Sequence, residues 1–342
     1  MKPASGSIVE FEGLVRRALD RRRALLAAPG SRRAFRVFSG EADGVDGVFV
    51  DVYSVGAVLI EYEGRTPRWW DGAAAAGPLL AALGDLGVTA VYRKPFAKDR
   101  SKLGGQLPEC VTDATPAAGS RLEEAVLIDE NGVNIEIRLY DGLSTGLFLD
   151  QRSNREFLRG MIAGRAAKTG ERPRVLNTFA YTCAFSVFCA VGGAETTSVD
   201  VSARYLEWGK RNFAHNGLDP AAHRFARMGT MEFLEYAQRK GLAYDLAILD
   251  PPSFASGSKK NDVRPWSSTS DYAELVRATK RVLKPGGAIF ASTNTSQLCA
   301  PGRLEREVIK GLVAAPRWLQ LPPPPPDFAR ERERFAACMF VP

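Results

Sequence analysis

Leu249-Asp250-Pro251-Pro252-Ser253-Phe254 closes an apolar run, Tyr244 to Leu249, with an acid, two prolines, a hydroxyl residue and an aromatic. A run of Leu, Ala, Ile and Leu suits a strand buried on both faces, as in a parallel sheet. Proline has no N–H to give to a ladder, so the chain must turn out at the carboxyl end of that strand. In open α/β sheets this edge is where ligands bind.

Upstream, Arg174 to Thr178 is a short apolar strand that runs through Phe179, Ala180, Tyr181, Thr182 and Cys183 into a helical pattern. Such a strand, loop and helix unit can offer backbone N–H groups and a helix N-terminus to an anionic group. It lacks the G-x-G-x-x-G spacing, so nicotinamide and flavin dinucleotides are not indicated. Thr197-Ser198-Val199-Asp200 ends a second strand in an acid suited to ribose hydroxyls. Farther on, Leu283-Lys284-Pro285-Gly286-Gly287 is a turn leading into the apolar stretch Ala288, Ile289, Phe290.

Taken in this order, these segments resemble a class I S-adenosylmethionine-dependent methyltransferase: an α/β protein with a Rossmann-like, mostly parallel sheet and a smaller N-terminal α+β domain. A narrower resemblance comes from Leu143-Ser144-Thr145-Gly146-Leu147-Phe148-Leu149-Asp150-Gln151-Arg152, from Tyr205-Leu206-Glu207-Trp208, and from Asn212-Phe213-Ala214-His215-Asn216-Gly217-Leu218. These look like the bacterial 23S ribosomal RNA methyltransferases that include cytosine-C5 and guanine-N7 enzymes. The likeness is strong over residues 135 to 342 and weaker over 36 to 62, and the PUA domain that opens the cytosine-C5 members is missing from it.

The resemblance implies S-adenosyl-L-methionine as cofactor and assigns roles. Asn177, Thr178, Phe179, Tyr181, Thr182 and Cys183 would wrap its methionine end, and Asp200 would hold the ribose. Thr145, Phe148, Asp150, Gln151 and Arg152 would form a loop over it, with Arg152 or Arg155 pairing with its carboxylate. Gly229, Thr230 and Asp250 complete the cofactor set. Asp250, Pro251, Pro252, Ser253, Phe254 and Asn294 form the catalytic group, with Phe254 stacking on a flipped base. Two departures stand out. No carboxylate follows the third strand until Glu232, and Cys183 and Ala184 replace the usual glycine of the first loop.

Target choice turns on chemistry. Cytosine C5 needs a thiolate to add at C6 first, whereas guanine N7 carries its own lone pair. Asn294 stands where the cytosine-C5 members carry the cysteine, and Cys299 reads as a packing or loop residue. Asn294, the Thr145 to Arg152 stretch and Asp327-Phe328-Ala329-Arg330 lean toward guanine N7 in 23S ribosomal RNA. Three alternatives stay open: cytosine C5, a small molecule or protein nitrogen, and an RNA-binding module without turnover.

Composition agrees with this reading. At 342 residues, 45% hydrophobic and 25% charged, the chain can bury a core in each of two domains. The pattern predicts a basic N-terminal helix within 1–34, a small RNA-binding α+β domain over 35–139, and the methyltransferase domain over 140–342. An Asn131-Gly132 hairpin turn falls inside the second, and Ala336 to Val341 is expected to be an edge strand. Five cysteines without ligand spacing and two histidines exclude a disulfide framework and a metal site. With no spanning apolar stretch and no signal-peptide pattern, a cytoplasmic protein is expected. The sequence leaves the oligomeric state, monomer or homodimer, open. A net charge of +7 suits an RNA partner. Candidate contacts are Arg16, Arg17, Arg21, Arg22 and Arg23; Arg93, Lys94, Lys98, Arg100 and Lys102 among Tyr92 and Phe96; and Lys259 and Lys260.

Overall fold

The computed structural model describes residues 7–24, 34–97, 107–255, 257, 264–329 and 334–342. Lys98, Arg100, Lys102, Lys259, Lys260 and Arg330 lie outside them. The chain divides into two compact units, Met1–Leu149 with Pro326–Arg330, and Asp150–Pro325 with Glu331–Pro342.

The first unit holds a five-stranded sheet in the order β1 (Ala34–Ser39), β2 (Val48–Tyr53), β3 (Gly56–Tyr62), β4 (Ala90–Phe96) and β5 (Ala118–Gly119). Only β3 and β4 pair in parallel; the other neighbours are antiparallel. Helices α1 (Ile8–Arg21) and α2 (Gly72–Leu83) give Phe11, Val15, Leu79 and Leu83 to one core with Val37, Val50, Leu59 and Val91 of the sheet. Their spacing is helical on one side and alternate on the other, which is how an amphipathic helix covers a pleated face. A hairpin of β6 (Val126–Glu130) and β7 (Val133–Ile137) turns through Asn131 and Gly132, both at positive φ, as the Asn-Gly pair demands.

Much of the positive charge of α1 is neutralised inside this unit. Arg21 and Arg22 both pair with the buried Asp43 carboxylate, Arg22 Nη2 at 2.7 Å, and Ser39 N donates to it at 2.7 Å. Arg16 pairs with Glu12 and Arg23 with Asp20. Tyr92 and Lys94 of β4 are buried, Lys94 Nζ donating to Gly142 O at 2.6 Å, while Arg93 pairs with Glu61. Asp327 and Phe328 also belong to this unit. Asp327 Oδ2 accepts the Arg36 N–H at 2.9 Å, and the Arg36 guanidinium lies 4.6 Å over the Phe328 ring.

The second unit holds a seven-stranded sheet in the order β10 (Arg224–Arg227), β9 (Glu195–Asp200), β8 (Arg174–Thr178), β11 (Tyr244–Leu249), β14 (Leu283–Thr293), β16 (Ala336–Val341) and β15 (Arg317–Leu319), with β12 (Phe254–Ala255) and β13 (Trp266–Ser267) paired separately. The first five run parallel and β16 is antiparallel to both neighbours. All six residues of β11 are buried, as its apolar run requires of a central strand. Strand order reverses between β8 and β11, the switch point at which such sheets open a crevice.

One expectation fails. Ala336 to Val341 is not the edge strand; it sits between β14 and β15, and the three-residue β15 forms the edge. Arg317-Trp318-Leu319 is too short to show a period of two, and Pro322 to Pro326 soon afterwards cannot extend a ladder.

The Asp43 clamp gives a test of pH dependence. Burial alone would raise the Asp43 carboxyl, but hydrogen bonds from Arg22 and Arg21 and the Arg22 charge outweigh it and hold the group below the usual carboxylate range. Its contribution is therefore present above the carboxylate range and disappears as pH falls through the lowered value. Asp43→Asn should cost about 3 kcal/mol at pH 7, because Arg22 is left buried without its counter-charge. Denaturant unfolding at stepwise lower pH should show the gap from wild type closing; a constant gap would contradict the assignment.

Candidate active site

The carboxyl ends of β9, β8, β11 and β14 meet along one edge. Thr178 lies opposite Val199 on one side and Leu249 on the other, and Leu249 in turn lies opposite Ala291. The Phe179 to Cys183 loop, Asp200, the Asp250 corner and Asn294 therefore emerge side by side, as the sequence reading requires.

The loop has an uncommon backbone. Phe179, Tyr181 and Cys183 have φ of 52°, 51° and 62°, a region that costs an L-residue about 1–2 kcal/mol. Neighbouring groups hold it there. Ala180 N donates to Val199 O at 2.9 Å, Tyr181 N to Asp200 Oδ2 at 2.9 Å, and Cys183 N to Ala180 O at 2.8 Å. Helix α5 (Ala203–Ala214), numbered after α3 (Arg152–Thr169) and α4 (Ala184–Val191), braces the other side. Tyr205 sets its ring 4.5 Å from that of Tyr181, Asn212 Nδ2 donates to Thr182 O at 2.9 Å, and Gly209 leaves the space that the Cys183 side chain fills. Residues 205, 209 and 212 share one helical face.

Asn177 and Thr178 are buried and satisfied within the fold: Asn177 Nδ2 donates to Ser186 Oγ, which bonds Ser198 Oγ, and Thr178 Oγ1 donates to Ile248 O. Thr182 and Cys183 are buried too, and burial pushes the Cys183 thiol up to about 12. What the loop can offer a ligand is thus its backbone and the half-buried rings of Phe179 and Tyr181. Asp200 takes the Tyr181 and Ser202 N–H groups on separate oxygens; burial nonetheless raises its carboxyl above the usual range. With a third backbone hydrogen bond from Val201, the carboxylate still has accepting capacity for a further donor.

At the next corner, Asp250 Oδ1 accepts Ser292 Oγ at 2.6 Å and faces Gln151 Nε2 at 3.5 Å. Burial raises this carboxyl, against opposing effects of the Ser292 hydrogen bond and the Arg155 charge. Arg155 is buried, and Gln151 is held by Asn154 Nδ2 at 2.9 Å. Pro252 O receives both Trp266 Nε1 at 2.9 Å and Ser268 Oγ at 2.8 Å, which fixes the turn after two prolines. Ser253 Oγ donates to Asn294 Oδ1 at 3.0 Å, joining two residues of the predicted catalytic group that stand 41 apart. Phe254 is 65% exposed.

Among the remaining site residues, Asp150 and Arg152 are half-buried at the start of this unit, while Thr145 and Phe148 belong to the first, where Thr145 Oγ1 donates to Tyr53 Oη at 3.0 Å. Gly229 and Thr230 open helix α6 (Thr230–Arg239) just past β10, and a Cβ on Gly229 would collide with the Glu232 carboxylate that folds back over it. Cys299 is buried with its Sγ 3.6 Å from Thr293 O, and burial raises its thiol. Sequence reasoning missed Ser292, Trp266, the Asn212 tie and the buried Tyr272, whose Oη donates to Ser292 O at 2.8 Å. Only the place of Ser292, at the end of an apolar strand beside the Asp250 strand, hinted at its contact. Among the described residues no His, Cys, Asp and Glu group could hold a metal ion, and no helix is long and apolar enough to cross a membrane.

Residues 111–329 match the family model described as S-adenosylmethionine-dependent methyltransferase. The chain belongs to that family. This methyltransferase is 40% identical over 275 residues to YwbD of Bacillus subtilis (strain 168), provisionally named a ribosomal RNA large subunit methyltransferase, a match covering 80% of this chain and 64% of that one. It is 32% identical over 309 residues to a ribosomal RNA large subunit methyltransferase of Deinococcus radiodurans, covering 89% and 71% of the two chains. A protein provisionally named a methyltransferase and solved in complex with SAH superposes with a TM-score of 0.81 at 29% identity, over 99% of this chain and 83% of that one. The chain thus spans just under two thirds of the Bacillus relative's length.

The fit between Cys183 and Gly209 is testable in this methyltransferase. Gly209→Ala should destabilise it by roughly 1–3 kcal/mol through overpacking. Cys183→Gly in the same chain should recover most of that loss in thermal unfolding; additive losses would mean that the two sites do not share the space.

Proposed function

We propose that the protein transfers the methyl group of S-adenosylmethionine to large-subunit ribosomal RNA, at N7 of a guanine. The observation that carries this reading is the Asp250, Ser253 and Asn294 cluster beside an exposed Phe254, on the same sheet edge as Asp200 and the Phe179 to Cys183 loop.

The residues suit the cofactor. Asp200 has accepting capacity left for ribose hydroxyls, and the rings of Phe179 and Tyr181 flank the loop backbone. Arg152 and Arg155 supply positive charge for a carboxylate, and Asp150 and Gln151 stand beside them in the chain. Gly229 and Thr230 offer backbone, and Glu232 a carboxylate, for adenine. Bound there, S-adenosylmethionine supplies an electrophilic methyl group that a guanine N7 lone pair can take without losing a proton. The protein then owes the reaction placement rather than a base. Phe254 gives a flipped base a surface to stack on, and the prolines keep that ring and Asp250 on one rigid turn. Cytosine C5 fits less well, because it needs an accessible thiolate and Cys299 is buried with a raised thiol. The net charge of +7 suits a polyanionic partner.

The test is methyl transfer from labelled S-adenosylmethionine to unmodified large-subunit ribosomal RNA, followed by nucleoside analysis. 7-Methylguanosine is expected. 5-Methylcytidine would replace the guanine reading, and no transfer to RNA would overturn the proposal. Asp200→Ala should weaken cofactor binding roughly 10- to 100-fold by calorimetry, the loss expected of a charged hydrogen-bond acceptor.

A further inference from the structure

We propose that Asn294 selects the base through its amide orientation, which the chain Thr295 to Ser253 to Asn294 fixes; this rests on the guanine N7 reading above. Thr295 is buried, 4% exposed, and is rooted at the start of the short helix α8 (Ser296–Cys299), numbered after α7 (Ser268–Lys280). Its N–H donates to Thr293 Oγ1 at 3.1 Å, and its carbonyl accepts Leu298 N at 2.8 Å and Cys299 N at 3.0 Å. From this fixed place Thr295 Oγ1 donates to Ser253 Oγ at 3.0 Å. Ser253 has a single hydroxyl hydrogen, and it goes to Asn294 Oδ1 at 3.0 Å.

An amide has one acceptor end and one donor end. With Oδ1 committed inward, the two hydrogens of Nδ2 face away from the relay, on an exposed residue whose Nδ2 has no acceptor among the described residues. Asp250 provides the opposite polarity. Ser292 occupies its Oδ1, and its other oxygen accepts no hydrogen bond among the described residues. The corner therefore presents donors from Asn294 and an acceptor from Asp250.

Guanine carries the matching edge: N7, then the O6 acceptor, then the N1–H and amino donors. Adenine has an amino group at position 6 and no hydrogen on N1, so both contacts would be reversed. Cytosine likewise presents an amine beside a ring acceptor. Among bases that possess an N7, the 6-oxo purine alone matches this corner. Ser253 and Thr295 are positioning residues, and Asn294 touches the base.

The experiment uses the full chain and unmodified large-subunit ribosomal RNA. Asn294→Asp replaces both donors with acceptors and should lower 7-methylguanosine formation roughly 100-fold, with S-adenosylmethionine affinity by calorimetry unchanged. Thr295→Val removes the root of the relay and should cost roughly 10-fold, while Thr295→Ser, which keeps the hydroxyl, should restore the rate. Thermal unfolding of each variant reports whether the fold is kept. On a short RNA carrying the mapped site, 2-aminopurine in place of guanine retains N7 and loses O6 and N1–H. Wild type should reject it, and Thr295→Val should reject it less. An Asn294→Asp chain that forms 7-methylguanosine at the wild-type rate would overturn this inference and leave the proposed function standing. A wild-type chain that forms none would overturn both.

Discussion

The parallel register of β8 with β11 is the constraint on which the rest depends. Val175 to Thr178 lie opposite Leu246 to Leu249, so two strands separated by about 70 positions end level with each other. That places the first loop and the Asp250 turn on adjacent paths, and β9 and β14 extend the same edge on either side. Shifting the ladder by one residue would carry Thr178 and Leu249 out of register and reverse the faces on which their neighbours project. Full burial of β11 resists such a slip, because every residue of the strand packs on one layer or the other.

A second constraint is the conformational cost concentrated in a five-residue loop. Three L-residues in the left-handed region are not stable by themselves, so the fold spends an acid, a helix face and a buried hydroxyl pair on holding them. Asp200 illustrates the double duty of such a site. Its carboxylate ties Tyr181 and Ser202 by their backbone N–H groups, which makes it part of the architecture before any ligand arrives. In the proposed function the same carboxylate would serve both as support and as ligand contact.

How far the sequence could be read depended on whether a feature was local. Tyr244 to Leu249, the turn at Asp250, the acid ending β9 and the Asn131-Gly132 hairpin are each decided within a few residues, and each was legible. Ser253 and Asn294 could be named as site residues, but not their hydrogen bond, because only the pairing of β11 with β14 brings them together. The arginines of α1 read as a basic patch, yet Arg21 and Arg22 are spoken for by Asp43, a partner that a charge count does not reveal. β15 was missed for its brevity, and with it the true edge of the sheet. The raised carboxyls of Asp200 and Asp250 follow from burial, which is a property of the packed fold rather than of residue type.

Pro326–Arg330 belongs with the first unit, although the chain on both sides of it belongs to the second. A fragment starting at Asp150 would keep this segment and lose Arg36, leaving the Asp327 carboxylate stripped of its N–H donor and Phe328 stripped of its covering guanidinium. The second unit is therefore no portable cassette. Recombination, gene fission or laboratory domain grafting that cuts once at Asp150 removes these contacts along with the peptide bond, so the two stretches have reason to be inherited together.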